Sequence, residues 1–378
     1  MRRLIAVTLS LATWTVAVAV VSVLAAHRSA AGWWLLLIPA GLLLALAFSV
    51  ALGFHGSHGG LPAFLLGQFP ADPRLLPRTV HMERTGSAPT VEAQAVIDLD
   101  HPLHRVDERF LSVAVDLSQV VEGRWWDPAA RHVEFSSGSL CSPRFDFDRP
   151  QLDRLTAALS PLYLRIGGSE ADKVFHALDD DPAIPPGYQS VLTRSQWDRI
   201  TAFCQRNDCR LVFTLNAGPG ARQANGNWDP RNAEALFAHA AQGPHVDVWE
   251  LGNELNVFFF VHGLRDQVPV DQYCRDLHVL RRQIDRLSPG SQLAGQGSAF
   301  WPALGEPLSW FFGYSREMLR QAGDLLDLFT WHYYPQQSRR CVMGSRRAHP
   351  ARLLDPSALD EAAHWATRIN TWRDMCAP

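Results

Sequence analysis

Cysteine is scarce in this chain and badly spaced for metal. The six residues, Cys141, Cys204, Cys209, Cys274, Cys341 and Cys376, lack the paired short spacings of a structural zinc site, and six are too few for a disulfide scaffold in 378 residues. No metal and no organic cofactor is expected. Most of the six read as small buried apolar residues; Cys204 and Cys209 flank a short polar turn where a local disulfide or two free thiols would fit. An excess of one charge is also missing. Lys and Arg number 35 against 38 Asp and Glu, a net charge of -3, so there is no whole-chain footprint for nucleic acid. What the chain does have is 47% hydrophobic content and 13 Trp. That is enough apolar material for one barrel-sized domain or two smaller ones, and the Trp suit an aromatic-lined cleft, a membrane interface or plain core packing.

Long apolar runs are confined to the N-terminal end. Residues 4–26 and 33–54 are each long enough to cross a bilayer, which takes about 20 residues. Two transmembrane helices forming a hairpin, with Trp33 and Trp34 at an interface, is the leading expectation. The alternative is a signal peptide over the first run, with a small-residue site near 23–25. Arg2 and Arg3 place the N-terminus inside; two crossings return the rest of the chain to that side, and one crossing puts it outside. Membrane attachment is expected, with the side left open. Residues 1–54 thus form a membrane hairpin or signal/anchor region, and 55–90, rich in Gly, Pro and His with no sustained period, read as a linker.

From residue 91 onward short apolar strands alternate with amphipathic helices, which argues for a parallel α/β architecture. After a strand over 91–99, six strands are expected over 111–115, 162–166, 211–215, 246–251, 292–294 and 325–331. Thr193 with Gln196 makes a capping box ahead of Trp197, Ile200 and Phe203. Val270, Tyr273, Leu277, Leu280, Ile284 and Leu287 line one face of a helix that Pro289-Gly290 stops. Leu359, Ala362, Ala366 and Ile369 mark a last helix ending near Trp372. Six strand-helix units fit an incomplete (β/α)8 TIM-type barrel, in which chemistry sits at the C-terminal strand ends. Asp116, Gly167-Gly168-Ser169, Asn216, Asn253-Glu254, Gly297-Ser298 and His332-Tyr333-Tyr334 all follow strands directly.

Among these, Glu254 closes the apolar strand Val246 to Leu251 through Gly252-Asn253. A glycoside hydrolase needs a carboxylic acid to protonate the leaving oxygen and a second carboxylate on the opposite face of the sugar. Glu254 in a desolvated, aromatic-lined mouth suits the first role. The bland alternative is that Asn-Glu caps the next helix. Asn253 can donate to and accept from a sugar hydroxyl. Period-2 alternation puts His332 and Tyr334 on one face, toward the cleft, though His-Tyr-Tyr also suits barrel packing. Asp116 suits sugar hydroxyls or a helix cap equally. Arg339, Arg340, Arg346 and Arg347 follow the sixth strand, where guanidinium groups could meet an acidic sugar or simply be solvated.

The segments Val96-Ile97-Asp98-Leu99 with Arg109 to Asp116, Tyr163 to Ser169, Glu250 to Glu254 and Thr330 to Tyr334 together resemble the heparanase and β-glucuronidase family of retaining glycosidases, over about residues 91–378. The resemblance implies a (β/α)8 barrel with a β-sandwich, to which 91–99 would contribute a strand. It implies cleavage of a β-linked glucuronic acid residue in a glycan or glucuronide, with Glu254 as acid/base. Asp116, Asn253 and residues of the Gly167-Gly168-Ser169 turn would touch the sugar; Asn216, His332 and Tyr334 join them from their strand-end positions. Leu255 stands where relatives often have Pro. In this family the nucleophilic Glu follows a seventh strand, after a helix matching 355–372, so a chain read only to Pro378 is expected to be a truncated and impaired enzyme. Glu170 and Asp172 are the other carboxylates near the site, and nothing in the sequence sets either opposite Glu254. The competing expectation is a non-catalytic glycan-binding or membrane-scaffold protein.

Overall fold

The computed structural model describes residues 68–70, 105–122, 124–125, 132–134, 140–141, 145–178, 183–301, 304–305, 313–336, 349 and 357–376. The two expected membrane runs, the strand over 91–99 and the four arginines at 339, 340, 346 and 347 lie outside these residues. Among the described residues no helix is long and apolar enough to cross a membrane. Inside the stretch read as a linker, Gln68–Pro70 pairs antiparallel with His132–Glu134, an element too short to leave a period in sequence.

The fold is α/β. Five parallel strands, β1 (Val113–Asp116), β2 (Leu162–Gly167), β3 (Cys209–Leu215), β4 (Val248–Leu251) and β5 (Gln292–Ala294), stand side by side in chain order. A sixth, β6 (Trp331–Tyr333), pairs in parallel with Ser298–Trp301. The segment leading into β6 continues the arc: Gly295 N–H donates to the Leu328 carbonyl, and a parallel bridge joins Ala294 to Leu328.

Three strands begin later than expected, each where a side chain does what a ladder bond would do. The first strand begins at Val113 rather than 111, because the Ser112 hydroxyl accepts the Tyr163 N–H at 2.9 Å. The fourth begins at Val248 rather than 246, because the Asp247 carboxylate accepts the Leu211 N–H. The sixth begins at Trp331 rather than 325: Gly323–Leu325 forms a 3-10 turn, and the Asp327 carboxylate accepts the Leu293 N–H.

Helices α1 (Pro150–Ala157), α2 (Arg194–Arg206), α3 (Arg231–Ala240), α4 (Val270–Leu287), α5 (Tyr314–Ala322) and α6 (Ser357–Cys376) follow the strands in turn. The capping box at α2 is present, with Thr193 and Gln196 each accepting from the other's backbone. Alternation along β4 sorts its side chains. Trp249 packs toward the helices, stacked parallel to Trp197 of α2 at 6.1 Å and edge-on to Phe237 of α3 at 4.5 Å. Its indole N–H donates to the Ser288 hydroxyl beyond α4. Phe300 gathers Trp331 and Trp365 edge-on at 4.9 and 5.0 Å, which docks α6 through the face carrying Trp365 and Ile369. Cys204 and Cys209 are free thiols, settling the disulfide alternative; burial pushes the Cys209 thiol up to about 11.

Candidate active site

Glu250 points the other way from Trp249, into the inner face of the strands, and is fully buried. A buried carboxylate survives only when paired and hydrogen-bonded, and four donors meet this one. Arg165 of β2 gives Nε at 3.0 Å and Nη2 at 2.6 Å to Oε2, Thr214 of β3 gives its hydroxyl at 2.7 Å, and Thr330 gives its hydroxyl to Oε1 at 2.8 Å. Three strands and the approach to a fourth are thereby locked at one depth. The same Arg165 Nη2 donates to Asn253 Oδ1 at 3.0 Å. The inner network thus carries the residue beside Glu254.

At the C-terminal end of β4 the chain turns sharply. Gly252 has φ +70°, and Glu254 itself lies in the left-handed region at φ 56°, a conformation that costs a non-glycine residue about 1–3 kcal/mol and persists only where its surroundings enforce it. Here they do. Glu254 N–H donates to the Gln296 carbonyl, Asn253 N–H to Asp172 Oδ2 at 3.0 Å, and Asn253 Nδ2 to the Ser169 hydroxyl. Glu254 is 6% exposed, and its carboxylate meets His332 Nδ1 at 2.9 Å across the mouth.

These side chains open onto a cavity of about 610 Å³ lined by Asp116, Gly168, Ser169, Arg165, Glu170, Asn253, Glu254, His332 and Tyr334 with their neighbours. Asp116 does both things expected of it: it caps the short helix Leu117–Val120, accepting the Ser118 N–H, and it faces the cavity. Burial raises its pKa. Gly168 sits against it at φ +92°, where a Cβ would come within 1.9 Å of Asp116 Oδ2, so only glycine allows the carboxylate its place. Tyr334 is half-exposed at the rim, its phenol pushed up by burial and then by the Glu254 carboxylate. Tyr333 also lines the cavity, and its hydroxyl donates to Glu361 of α6 at 3.0 Å.

Six of the seven residues expected to touch substrate line the cavity beside Glu254; Asn216 does not. It is buried, and its two ends are engaged, Nδ2 donating to the Val174 carbonyl and Oδ1 accepting the Gly218 N–H two residues on. The strand-end position is right, but a local turn takes the side chain. Glu170 lines the cavity and pairs with Lys173, the one lysine in the sequence, at 2.7 Å. The sequence reading missed the roles of Arg165, Glu250 and Thr330. Their signal was present: a charge inside each of two otherwise apolar strands, Leu-Tyr-Leu-Arg-Ile and Val-Trp-Glu-Leu, is what a buried pair leaves behind.

Residues 92–375 match the family model described as glycosyl hydrolase family 79, N-terminal domain. The chain belongs to glycosyl hydrolase family 79. Among curated family relatives, heparanase-like protein 3 of Arabidopsis thaliana is 28% identical over 68% of this chain and 47% of its own length. Mouse heparanase (Mus musculus) is 25% identical over 66% and 50%, and the hyaluronoglucuronidase of Hirudo nipponia 26% over 52% and 44%. This family 79 chain therefore spans about half the length of the curated relatives it matches. Among the described residues no cluster of His, Cys, Asp and Glu could hold a metal ion.

Proposed function

We propose that this chain carries the acid/base half of a retaining glycosidase site acting on β-linked glucuronic acid residues in a glycan or glucuronide. The observation that carries the reading is Glu254: a nearly buried carboxylate in a strained left-handed turn, bonded to His332, opening onto a sugar-sized cavity. In the proposed reaction the carboxylic acid of Glu254 gives its proton to the leaving oxygen and then, as carboxylate, takes one from the attacking water. His332 meets Glu254 Oε1 at 2.9 Å and so holds the carboxyl group at the cavity. Asp116 and Ser169 accept from and donate to sugar hydroxyls, and Tyr334 covers the rim.

A retaining pair also needs a nucleophile about 5–5.5 Å from the acid. Three nearby carboxylates are occupied in other ways. Asp116 caps a helix, Glu170 holds Lys173, and Asp172 lies beneath the turn with both oxygens accepting backbone N–H groups. The resemblance implies that the nucleophile of such a pair is a Glu following a seventh strand of the TIM-type barrel.

Kinetics of the whole protein on two aryl β-glucuronides test this reading. Glu254→Gln should abolish turnover of a substrate with a poor leaving group and largely spare one whose leaving group needs no proton. Glucuronide binding without turnover in the unaltered protein would favour a glycan-binding role instead.

A further inference from the structure

Asp172 is fully buried, two residues past Glu170 of the cavity lining, and takes no part in the reaction proposed above. Its carboxylate sits where three strand-end loops meet. Oδ1 accepts the Ala217 N–H of the loop after β3 at 2.8 Å, and Oδ2 accepts the Asn253 N–H of the loop after β4 at 3.0 Å. The packing around it leaves no slack. A Cβ on Gly252 would lie 3.3 Å from Asp172 Oδ1, and one on Gly218 would lie 2.0 Å from the Asp172 carbonyl oxygen. We infer that Asp172 is a positioning residue for Glu254: by accepting one backbone N–H from each neighbouring loop, its carboxylate sets the Asn253–Glu254 turn and so the approach of the acid/base group to the cavity. The inference rests on the reading of Glu254 given above.

The ionised form ties the two loops most tightly. A carboxylate presents strong acceptors on both oxygens, whereas an asparagine puts an amide NH2, a donor, at one of the two positions, and the acid form puts a hydroxyl there, a weaker acceptor. In the asparagine variant one of the two N–H groups loses its partner in a buried place, which is costly, and in the acid form that bond is weakened. The charged and titratable groups facing Asp172 are Arg222, which favours its ionised form and is itself paired with Asp276, and Glu250 with the phenol of Tyr273, the carboxylate disfavouring ionisation. Burial outweighs the rest and moves Asp172 up to about 7. The turn is therefore tied down above neutrality and loosened below it.

Two measurements on the full chain test this. In amide proton and nitrogen spectra from pH 5 to 9, the Ala217 and Asn253 resonances should titrate together with one midpoint near 7, and that shared titration should vanish in Asp172→Asn, a variant of unchanged size. With an aryl β-glucuronide, Asp172→Asn should lower kcat tenfold or more with KM little moved, and should remove the acid-side fall of kcat near pH 7. Independent or absent titration of the two amides in the unaltered protein overturns the inference, as does an unchanged kcat in the variant. If the unaltered protein hydrolyses no glucuronide, the proposed function fails, and the amide titration alone decides whether Asp172 sets the turn.

Discussion

Replacing Arg165 with Met leaves the fully buried Glu250 with two hydroxyl donors in place of four donor groups, and strips Asn253 Oδ1 of its hydrogen bond from the guanidinium. Removing one member of a buried ion pair costs about 3–5 kcal/mol, chiefly because the surviving charge is stranded. That is a large share of the roughly 5–15 kcal/mol that holds a domain folded. With a urea m-value near 3 kcal/mol per molar, the unfolding midpoint should fall by roughly 1–1.7 M. Tryptophan fluorescence reports it directly, since Trp249 adjoins Glu250 and is fully buried. The double variant Arg165→Met, Glu250→Met removes the stranded charge as well. It should be more stable than Arg165→Met alone, while still losing the tie to Asn253. A single variant within about 1 kcal/mol of the unaltered protein, or a double variant less stable than the single, would refute the view that this pair organises the inner face.

Three further outcomes follow from the same geometry. Gly168→Ala places a methyl group on Asp116 Oδ2 at a positive φ, so urea unfolding should show a loss of about 1–3 kcal/mol and glucuronide binding should weaken with it. His332→Ala removes the group bonded to Glu254 Oε1, and kcat/KM for a glucuronide with a poor leaving group should fall about 100-fold, as expected when a reacting group loses its placement. Asp172, raised from 3.8 to about 7, contributes stability that is whole below about pH 4 and is lost as pH rises through 7. At about 1.4 kcal/mol per unit the loss is at most roughly 4 kcal/mol, so denaturation curves should show Asp172→Asn losing less stability from pH 4 to 8 than the unaltered protein. Parallel curves would contradict that assignment.

Much of the scaffold is readable from the chain because its signals are local. The apolar run at 292–294 and the strand β5 coincide, Thr193 and Gln196 announce the start of α2, and Pro289-Gly290 follows the end of α4. Glu254 is legible for the same reason: Gly252-Asn253-Glu254 directly ends an apolar strand. What stays hidden depends on partners far apart in sequence. The donors to Glu250 lie 85, 36 and 80 positions away, and no periodicity reports such a meeting. Asp172 looks like one more polar residue of a loop until β3 and β4 bring Ala217 and Asn253 to its two oxygens. Asn216 shows the opposite failure. A strand-end rule assigns it to the cleft, but an asparagine can always bond its own backbone two residues on, and here the Gly218 N–H takes the side chain first.

The central claim, that Glu254 is the proton donor, is tested most directly by comparing Glu254→Gln with the unaltered full-length protein on phenyl and 2,4-dinitrophenyl β-glucuronides. If Glu254 protonates the leaving oxygen, kcat/KM for the phenyl substrate should fall by about 10²–10⁴, while the dinitrophenyl substrate, whose leaving group needs no proton, loses far less. Equal losses on both substrates, or no loss on either, would contradict it.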